Sequence, residues 1–391
     1  MLTDNQIEGL RSRFPILSSK TYLYSCSQGA LSFAVEAGMA EYADSWRTSP
    51  APWDEWMGKY EQTRAAFAGM IGARPAEIAI VGSASAGINP IANSLHFSQR
   101  NRVILSEFEF PTMGQIWLAQ QQRGAQVEFL PGEGNQIPLE RYRQAIDHRT
   151  AIVALTHVSF VNGFRSDVTA VTKMAHDNGA LVFLDGYQDC GTRPLDVKAL
   201  GVDFYVAGTL KYLLGPPGLA FLYVRQGLAE QLNPPITSWM AQREVFAFNA
   251  QLLDPSPDAR RFEGGSPPIP NIYAALPALN LLQDIGLANV ETQIASLTRR
   301  FIIGAQALNL QIKTPLDSVG PLVVLRSHDP GTMVSLLARH NVLTSNRHDG
   351  VRFSFHVYNN KQDVDTALQI LKDGADLMVR TGEKSQLQTA L

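Results

Sequence analysis

The chain has 391 residues, 45% of them hydrophobic, with 33 Lys and Arg against 36 Asp and Glu and a formal net charge of -3. That length exceeds the span of one hydrophobic core, so two domains are expected, and charges of mixed sign exclude the basic stripe of a nucleic-acid binder and the polybasic anchor of a membrane-surface protein. With Cys26 and Cys190 as the only cysteines, a disulfide framework and a cysteine cluster for zinc or iron–sulfur ligation are also excluded, and no metal is expected.

The N-terminal stretch MLTDNQIEGLRSRF is polar and has no signal-peptide apolar region, and no run approaches the ~20 apolar residues of a membrane span. A cytoplasmic protein is expected. Residues 33–48 and 53–72 carry apolar residues at helical spacing, with a break at Ser49-Pro50-Ala51-Pro52. From about 78 to 224 short apolar runs alternate with helical stretches: IAIVG, RVILS, VEFL, AIVAL, LVFLD, DFYVA and LAFLYV. Continuous rather than alternating apolar runs predict a mostly parallel sheet covered by helices on both faces. In such a sheet the ligands sit at the carboxyl ends of the strands. Asp254-Pro255-Ser256-Pro257 and Gly264-Gly265-Ser266-Pro267-Pro268-Ile269-Pro270 interrupt regular structure and mark a domain boundary. Beyond them the pattern predicts a helical region from about 272 to 309, strands near 321–326 and 351–356, and helices near 331–340 and 362–379. These make a smaller α+β unit, and Gly382 to Leu391 read as a frayed tail.

The segment Thr209-Leu210-Lys211-Tyr212-Leu213-Leu214-Gly215-Pro216-Pro217-Gly218 places one lysine between an apolar strand and a glycine-proline turn. An amine held there, partly desolvated, has a lowered pKa and attacks carbonyls, of which pyridoxal phosphate is the usual one. Taken alone, the same lysine is equally a surface residue in a turn. Asp185 ends the apolar run LVFL, where a carboxylate would keep a pyridine nitrogen protonated; an isolated Asp is also a common helix cap. Gln188 lies three residues on, in reach of a ring oxygen as a hydrogen-bond donor. Ser83-Ala84-Ser85-Ala86-Gly87 joins the strand IAIVG to a helix, a place that suits phosphate but is also common in any α/β fold. Phe110, in Glu109-Phe110-Pro111-Thr112, is a ring that could stack on a heteroaromatic cofactor or fill a core. Arg347 and Arg352 offer planar forks for a carboxylate, and either could instead pair with an acid of the protein.

In this order, LDGYQ with a lysine 26 residues on, KYLLGPPG, and RFSFHVYN before an acidic helix, the chain resembles the class V aminotransferase family of fold-type I pyridoxal-phosphate enzymes. That family includes cysteine desulfurases, selenocysteine lyases, kynureninases and isopenicillin N epimerase-like proteins. The resemblance runs from about Phe14 to Leu371. It implies an aspartate-aminotransferase-like α/β fold: an N-terminal segment 1–20 on the small domain, a large cofactor-binding domain 21–255 with a mostly parallel seven-stranded sheet, and a smaller C-terminal α+β domain 256–391. It implies that Lys211 carries pyridoxal 5'-phosphate as a Schiff base, with Asp185 on the pyridine nitrogen, Gln188 on the ring oxygen and Phe110 stacked. Ala84, Ser85 and Thr209 fall near the phosphate, Ser266 matches a hydroxyl residue that reaches the phosphate of a neighbouring subunit in a homodimer with shared active sites, and Arg352 matches the arginine that grips the substrate carboxylate.

Three departures bear on activity. Desulfurases carry a cysteine ahead of that arginine, where this chain has Ser345-Asn346-Arg347-His348-Asp349. Persulfide transfer is therefore disfavoured. Leu210 stands where desulfurases have histidine and kynureninases tyrosine, and Phe160 where many members place Asn, with Asn162 available to supply polarity to the substrate side. The expected function is an aminotransferase, or a related lyase or epimerase, acting on a small α-amino acid. The alternatives are a kynureninase-like hydrolase, a cysteine or selenocysteine lyase without a persulfide cysteine, and a regulator or binding module using this fold. A dinucleotide site is disfavoured because no G-x-G-x-x-G opens a helix after a strand.

Overall fold

The computed structural model describes residues 2–383, so 384–391, most of the tail expected to fray, lie outside the described residues. Twelve strands occur among the described residues: β1 (Thr21–Tyr22), β2 (Ile78–Val81), β3 (Arg102–Ser106), β4 (Gln126–Leu130), β5 (Thr150–Thr156), β6 (Leu181–Asp185), β7 (Phe204–Gly208), β8 (Ala220–Val224), β9 (Leu322–Arg326), β10 (Val342–Leu343), β11 (Ser345–Arg347) and β12 (Gly350–Ser354). Seven of them form one sheet in the order β2-β8-β7-β6-β5-β3-β4. Only β8 runs against its neighbours, so the sheet is mostly parallel.

The apolar runs become strands because both faces of the sheet are covered. Every residue of β2, β6 to β8 and most of β5 is buried except at the strand starts. β4 departs from this: it is the sheet's edge, and Phe129 is exposed. One layer of helices packs through Phe67, Ile272, Leu279 and Leu282 with Ile78, Tyr205 and Phe221 of the sheet. The other face holds Ile88, Ile91, Met113 and Trp117.

Register decides which strand ends meet. Thr156 pairs with Asp185 and Asp185 with Val206, while Val81 and Gly208 both pair with Ala220 from opposite sides. The carboxyl ends of β2, β5, β6 and β7 therefore lie at one rim. Because β8 returns antiparallel from β7, the connection 209–219 that carries Lys211 stays at that rim.

The C-terminal part has an antiparallel sheet β11-β12-β9. The predicted helical region from 272 to 309 is two helices, Ile269–Ile285 and Leu287–Ala307, separated by Gly286 at φ 80. That backbone lies in the region that strains any residue with a Cβ. The last predicted helix is shorter than expected, Lys361–Asp373, ending at Gly374. Leu297, Phe301, Val323, Leu325, Phe353, Val364 and Leu371 form a second core, whereas Ile269–Ile285 is seated on the large sheet's helical layer. A division at 255/256 thus leaves one helix of the C-terminal part on the large core. The N-terminal helix Asp4–Arg11, capped by Thr3 and Gln6, is held to the C-terminal part by Arg11, which donates to Asp363 at 2.8 Å and to the Tyr358 carbonyl at 2.7 Å.

Candidate active site

A cavity of about 240 Å³ opens at the shared rim, lined by Ser83, Ala84, Ser85, Phe110, Asp185, Gln188 and Lys211 among others. Six of the sequence-predicted residues are thereby brought together. The helix Ala84–Ser94 points its N-terminus here, with Ser83 capping it by accepting from the Ala86 N–H at 3.1 Å. The N–H groups of Ala84 and Ser85 have no acceptor within the helix, which is the condition for holding an anion.

Lys211 lies opposite, with Nζ 4.6 Å from the centre of the Tyr187 ring and 5.6 Å from that of Phe110. Burial lowers its pKa to about 8, against Asp185 and Cys26, which favour the charged amine. A useful fraction of free amine is thus available near neutral pH. Asp185 is buried and its carboxyl is pushed upward by that burial, while the Tyr187 N–H, donating at 2.8 Å, and Lys211 pull it back. A cation placed beside it would remove the strain. Gln188 donates through Nε2 to the Cys26 carbonyl at 3.0 Å, and its Oε1 is buried without a partner. Phe110 is half exposed and stands edge-on to Phe160, ring centres 5.1 Å apart.

Arg352 is 1% exposed and lies just behind this lining. Its Nε donates to Ser345 Oγ at 3.1 Å, one terminal nitrogen to the Phe160 carbonyl at 3.1 Å and the other to Ser27 Oγ at 2.8 Å. Arg347 does not share this arrangement; its side chain donates to the Asn346 carbonyl. Besides Arg352, three of the predicted residues are outside the lining. Thr209 is buried, its hydroxyl donating to the Leu219 carbonyl at 3.2 Å. Asn162 is buried, donating to the Asn135 carbonyl of the connection after β4 at 2.6 Å and accepting from the Phe164 N–H at 3.0 Å, so both ends of its amide are used. Ser266 is exposed on the loop before Ile269–Ile285.

The site also holds residues that pattern reading did not single out. Thr112, Thr156 and Tyr187 line the cavity, and their signal was position at a strand's carboxyl end or in the segment that follows it. Cys26 and Ser27 had no such signal, because the segment 24–30 reaches the site only through tertiary packing, and Ser345 was legible only as part of the loop ahead of Arg352. Gly29 lies so close to the lysine loop that a Cβ there would stand 2.3 Å from the Lys211 carbonyl. The Cys26 thiol is buried 3.6 Å from Ser345 Oγ. Burial opposes its ionisation, yet Arg352, bonds to Ser354 and Ser345, and Lys211 together hold its pKa below the ordinary value. A thiol is thus near the site after all, on the N-terminal segment instead of the loop ahead of Arg352. Cys190 is the opposite case, buried and pushed up to about 12 by that burial.

A lysine, a buried carboxylate and a free helix N-terminus at the carboxyl rim of a mostly parallel sheet define a pyridoxal-phosphate-dependent enzyme. The chain belongs to the aminotransferase class-V family, whose model matches residues 34–367. It is 34% identical over 362 residues to the uncharacterized aminotransferase YcbU of Bacillus subtilis, covering 92% of this chain and 96% of that one. It is 30% identical over 324 residues to a kynureninase of Deinococcus radiodurans, covering 80% and 77%. Among solved structures it shares its fold with an apo cysteine desulfurase of Thermococcus onnurineus NA1, at a TM-score of 0.85 and 24% identity over 95% of this chain and 98% of that one.

The residues present fit the cofactor. The spare Nε2 N–H of Gln188, the unpaired amine of Lys211, the unbalanced carboxyl of Asp185 and the open N-terminus of Ala84–Ser94 are four unsatisfied groups around one cavity. Pyridoxal phosphate offers each a partner: a carbonyl for the amine, a ring nitrogen for the acid, a ring oxygen for the amide and a phosphate for the helix.

Proposed function

We propose that this enzyme is an aminotransferase of small α-amino acids, with lyase or epimerase outcomes as the nearest variants on the same site. The observation that carries the reading is the lowered pKa of Lys211 inside a cavity that also holds Asp185 and the helix N-terminus. Bound there, pyridoxal phosphate supplies a carbonyl for the substrate amine and an electron sink for the α-carbon. Lys211 would hold the cofactor through Nζ, and the same amine would accept and return the α-proton. Asp185 would keep a proton on the ring nitrogen, Gln188 would donate to the ring oxygen, Phe110 would pack on the ring, and the N–H groups of Ala84 and Ser85 would hold the phosphate. Arg352 binds the substrate carboxylate with the N–H groups its three protein partners leave free. Ser345 to Asp349 contain no thiol, which favours chemistry at the α-carbon over sulfur transfer.

Purified protein is expected to show visible absorbance from the lysine-bound cofactor, absent from Lys211→Ala. With the wild type, an amino-acid screen should convert that absorbance to the pyridoxamine form and release a keto acid. Retained absorbance in the variant would overturn the role of Lys211. Pyruvate with ammonia or sulfide, and no pyridoxamine, would replace transamination by elimination.

A second reading, a kynureninase-like hydrolase, is favoured by one feature: Phe110, Phe160, Ile88 and Leu210 give the cavity an apolar side suited to an aromatic substituent. Anthranilate released from kynurenine would establish it.

We propose further a cytoplasmic homodimer with shared active sites, Ser266 reaching the partner's phosphate. Both cysteines are buried and free, as a reducing compartment allows. Phe246, Phe248, Leu252 and Leu253 are 50%, 72%, 60% and 67% exposed around Trp239, an apolar patch of the kind that marks an interface. Phe248→Asp should shift the mass in light scattering from two chains toward one. A monomeric wild type would refute the dimer.

A further inference from the structure

A second cavity, of about 350 Å³, lies away from the cofactor site, between the loops following β5 and β6 and the helix Leu287–Ala307. Arg165 enters it from the first loop, Arg193 from the second, and Arg299 and Glu291 from one face of the helix, two turns apart. None of the three arginines is in an ion pair among the described residues. The Nε atoms of Arg165 and Arg193 are buried without any hydrogen-bond partner. An unsatisfied buried guanidinium N–H is costly, since each lost charged hydrogen bond leaves the desolvation uncompensated.

The nearby acids balance this charge only in part. Asp189 is buried 3.0 Å from His157 Nδ1 with neither carboxylate oxygen in a hydrogen bond, and against its burial His157, Arg193 and Arg165 hold its pKa below the ordinary value, while Glu291 is exposed. Burial pulls the Arg165 guanidinium below its ordinary pKa; Asp189 and Glu291 support its charge and Arg193 opposes it. Three cations against two acids leave a net positive cavity. Three arginine forks converging from three separate elements match an anion with several oxygens, where bidentate bonds form on more than one side.

Size and lining restrict the ligand further. At ~30 Å³ per water the cavity has room for roughly ten waters, more than an inorganic anion fills, and Ile302, Leu316 and their neighbours offer apolar wall. We propose that this cavity is a binding site for a small organic dianion, a phosphate monoester or a dicarboxylate, distinct from the cofactor site. Its dianionic head lies among Arg165, Arg193 and Arg299, and its carbon part against Ile302 and Leu316. The loops that carry Arg165 and Arg193 follow on from Thr156 and Asp185, the strand ends at the catalytic rim, so the ligand would bind on loops continuous with that rim.

The test is isothermal titration calorimetry of the pyridoxal-phosphate-loaded protein with glycerol 3-phosphate and, separately, succinate, against sodium chloride at matched ionic strength. Loading occupies the other phosphate-binding cradle. Saturable binding of one site per chain is expected for one of the two, identifying a phosphate or a carboxylate head. Arg193→Gln and Arg299→Gln should each weaken it by roughly tenfold or more, the loss of a charge-assisted bond, with the cofactor's visible spectrum unchanged. Both positions are partly or fully exposed, so at least one variant should fold. Heats no larger than those of chloride would overturn the proposal. So would binding unaffected by both substitutions, or binding lost instead in Arg352→Lys. None of these readouts requires turnover, so failure of the aminotransferase reading would not be mistaken for failure of this one.

Discussion

Replacing Arg352 by lysine should separate substrate binding from cofactor binding. A guanidinium has five N–H groups, and three of those of Arg352 are spent on Ser345, Phe160 and Ser27. One N–H remains on each terminal nitrogen, which is the pair a carboxylate takes in bidentate fashion. A lysine ammonium has three N–H groups on one nitrogen and cannot serve three protein acceptors and a substrate together. Losing one charge-assisted bond to the substrate costs about 1.5 to 3 kcal/mol, or roughly 10- to 150-fold in Kd. The assay is spectrophotometric titration of the loaded enzyme with an amino acid, following the change in cofactor absorbance. Arg352→Lys should raise Kd by that factor and leave cofactor content unchanged, because Arg352 lies behind the cavity lining. An amine without a carboxylate should bind wild type and variant alike. An amino-acid Kd unchanged in Arg352→Lys would refute the count of free N–H groups and the role built on it.

Two further outcomes follow from buried groups around the lysine loop. His356 is buried, its Nε2 donating to the Tyr212 carbonyl at 3.0 Å, and burial lowers its pKa from 6.5 to about 4 against that bond. The unfolded chain then binds this proton more tightly, so the stability from neutral His356 is full above about pH 6.5 and is lost as pH falls toward 4, about 3 kcal/mol in all. Urea unfolding across that range should show His356→Asn with a flatter pH profile than wild type; parallel profiles would sink the argument. At Gly208 a Cβ would stand 2.3 Å from the Tyr187 ring, the ring that lies beside Lys211 Nζ. Gly208→Ala should cost about 1 to 3 kcal/mol in thermal or denaturant unfolding and weaken pyridoxal phosphate binding, and a variant with wild-type stability and affinity would show that the ring can move freely.

Local pattern determined a great deal of this protein. Six of the seven strands of the large sheet were legible as continuous apolar runs, since a strand buried on both faces has no place for alternation, whereas the edge strand β4 carries Glu128 within its run and buries only Leu130. The lysine, the strand-end aspartate and the serine-rich turn were legible because each directly follows such a run, and a parallel sheet brings strand ends to one rim. Boundaries that depended on one glycine were less so: the break at Gly286 and the stop at Gly374 are invisible to apolar periodicity.

Tertiary structure alone decided the rest. Thr209 and Asn162 are polar residues close in sequence to the site, yet their hydrogen bonds go to backbone groups, Thr209 within its own loop and Asn162 to the Phe164 N–H and to the carbonyl of Asn135 in the connection after β4. Cys26, Ser27 and Ser345 come from distant segments and meet around Arg352. Arg165, Arg193 and Arg299 share a cavity only because two strand-end loops pack against a helix more than a hundred residues on. The physical reason is the same in each case. Sequence period reports which face of an element is buried, whereas the partner of a polar group is set by which elements stack, and that is decided by the packing of the whole chain.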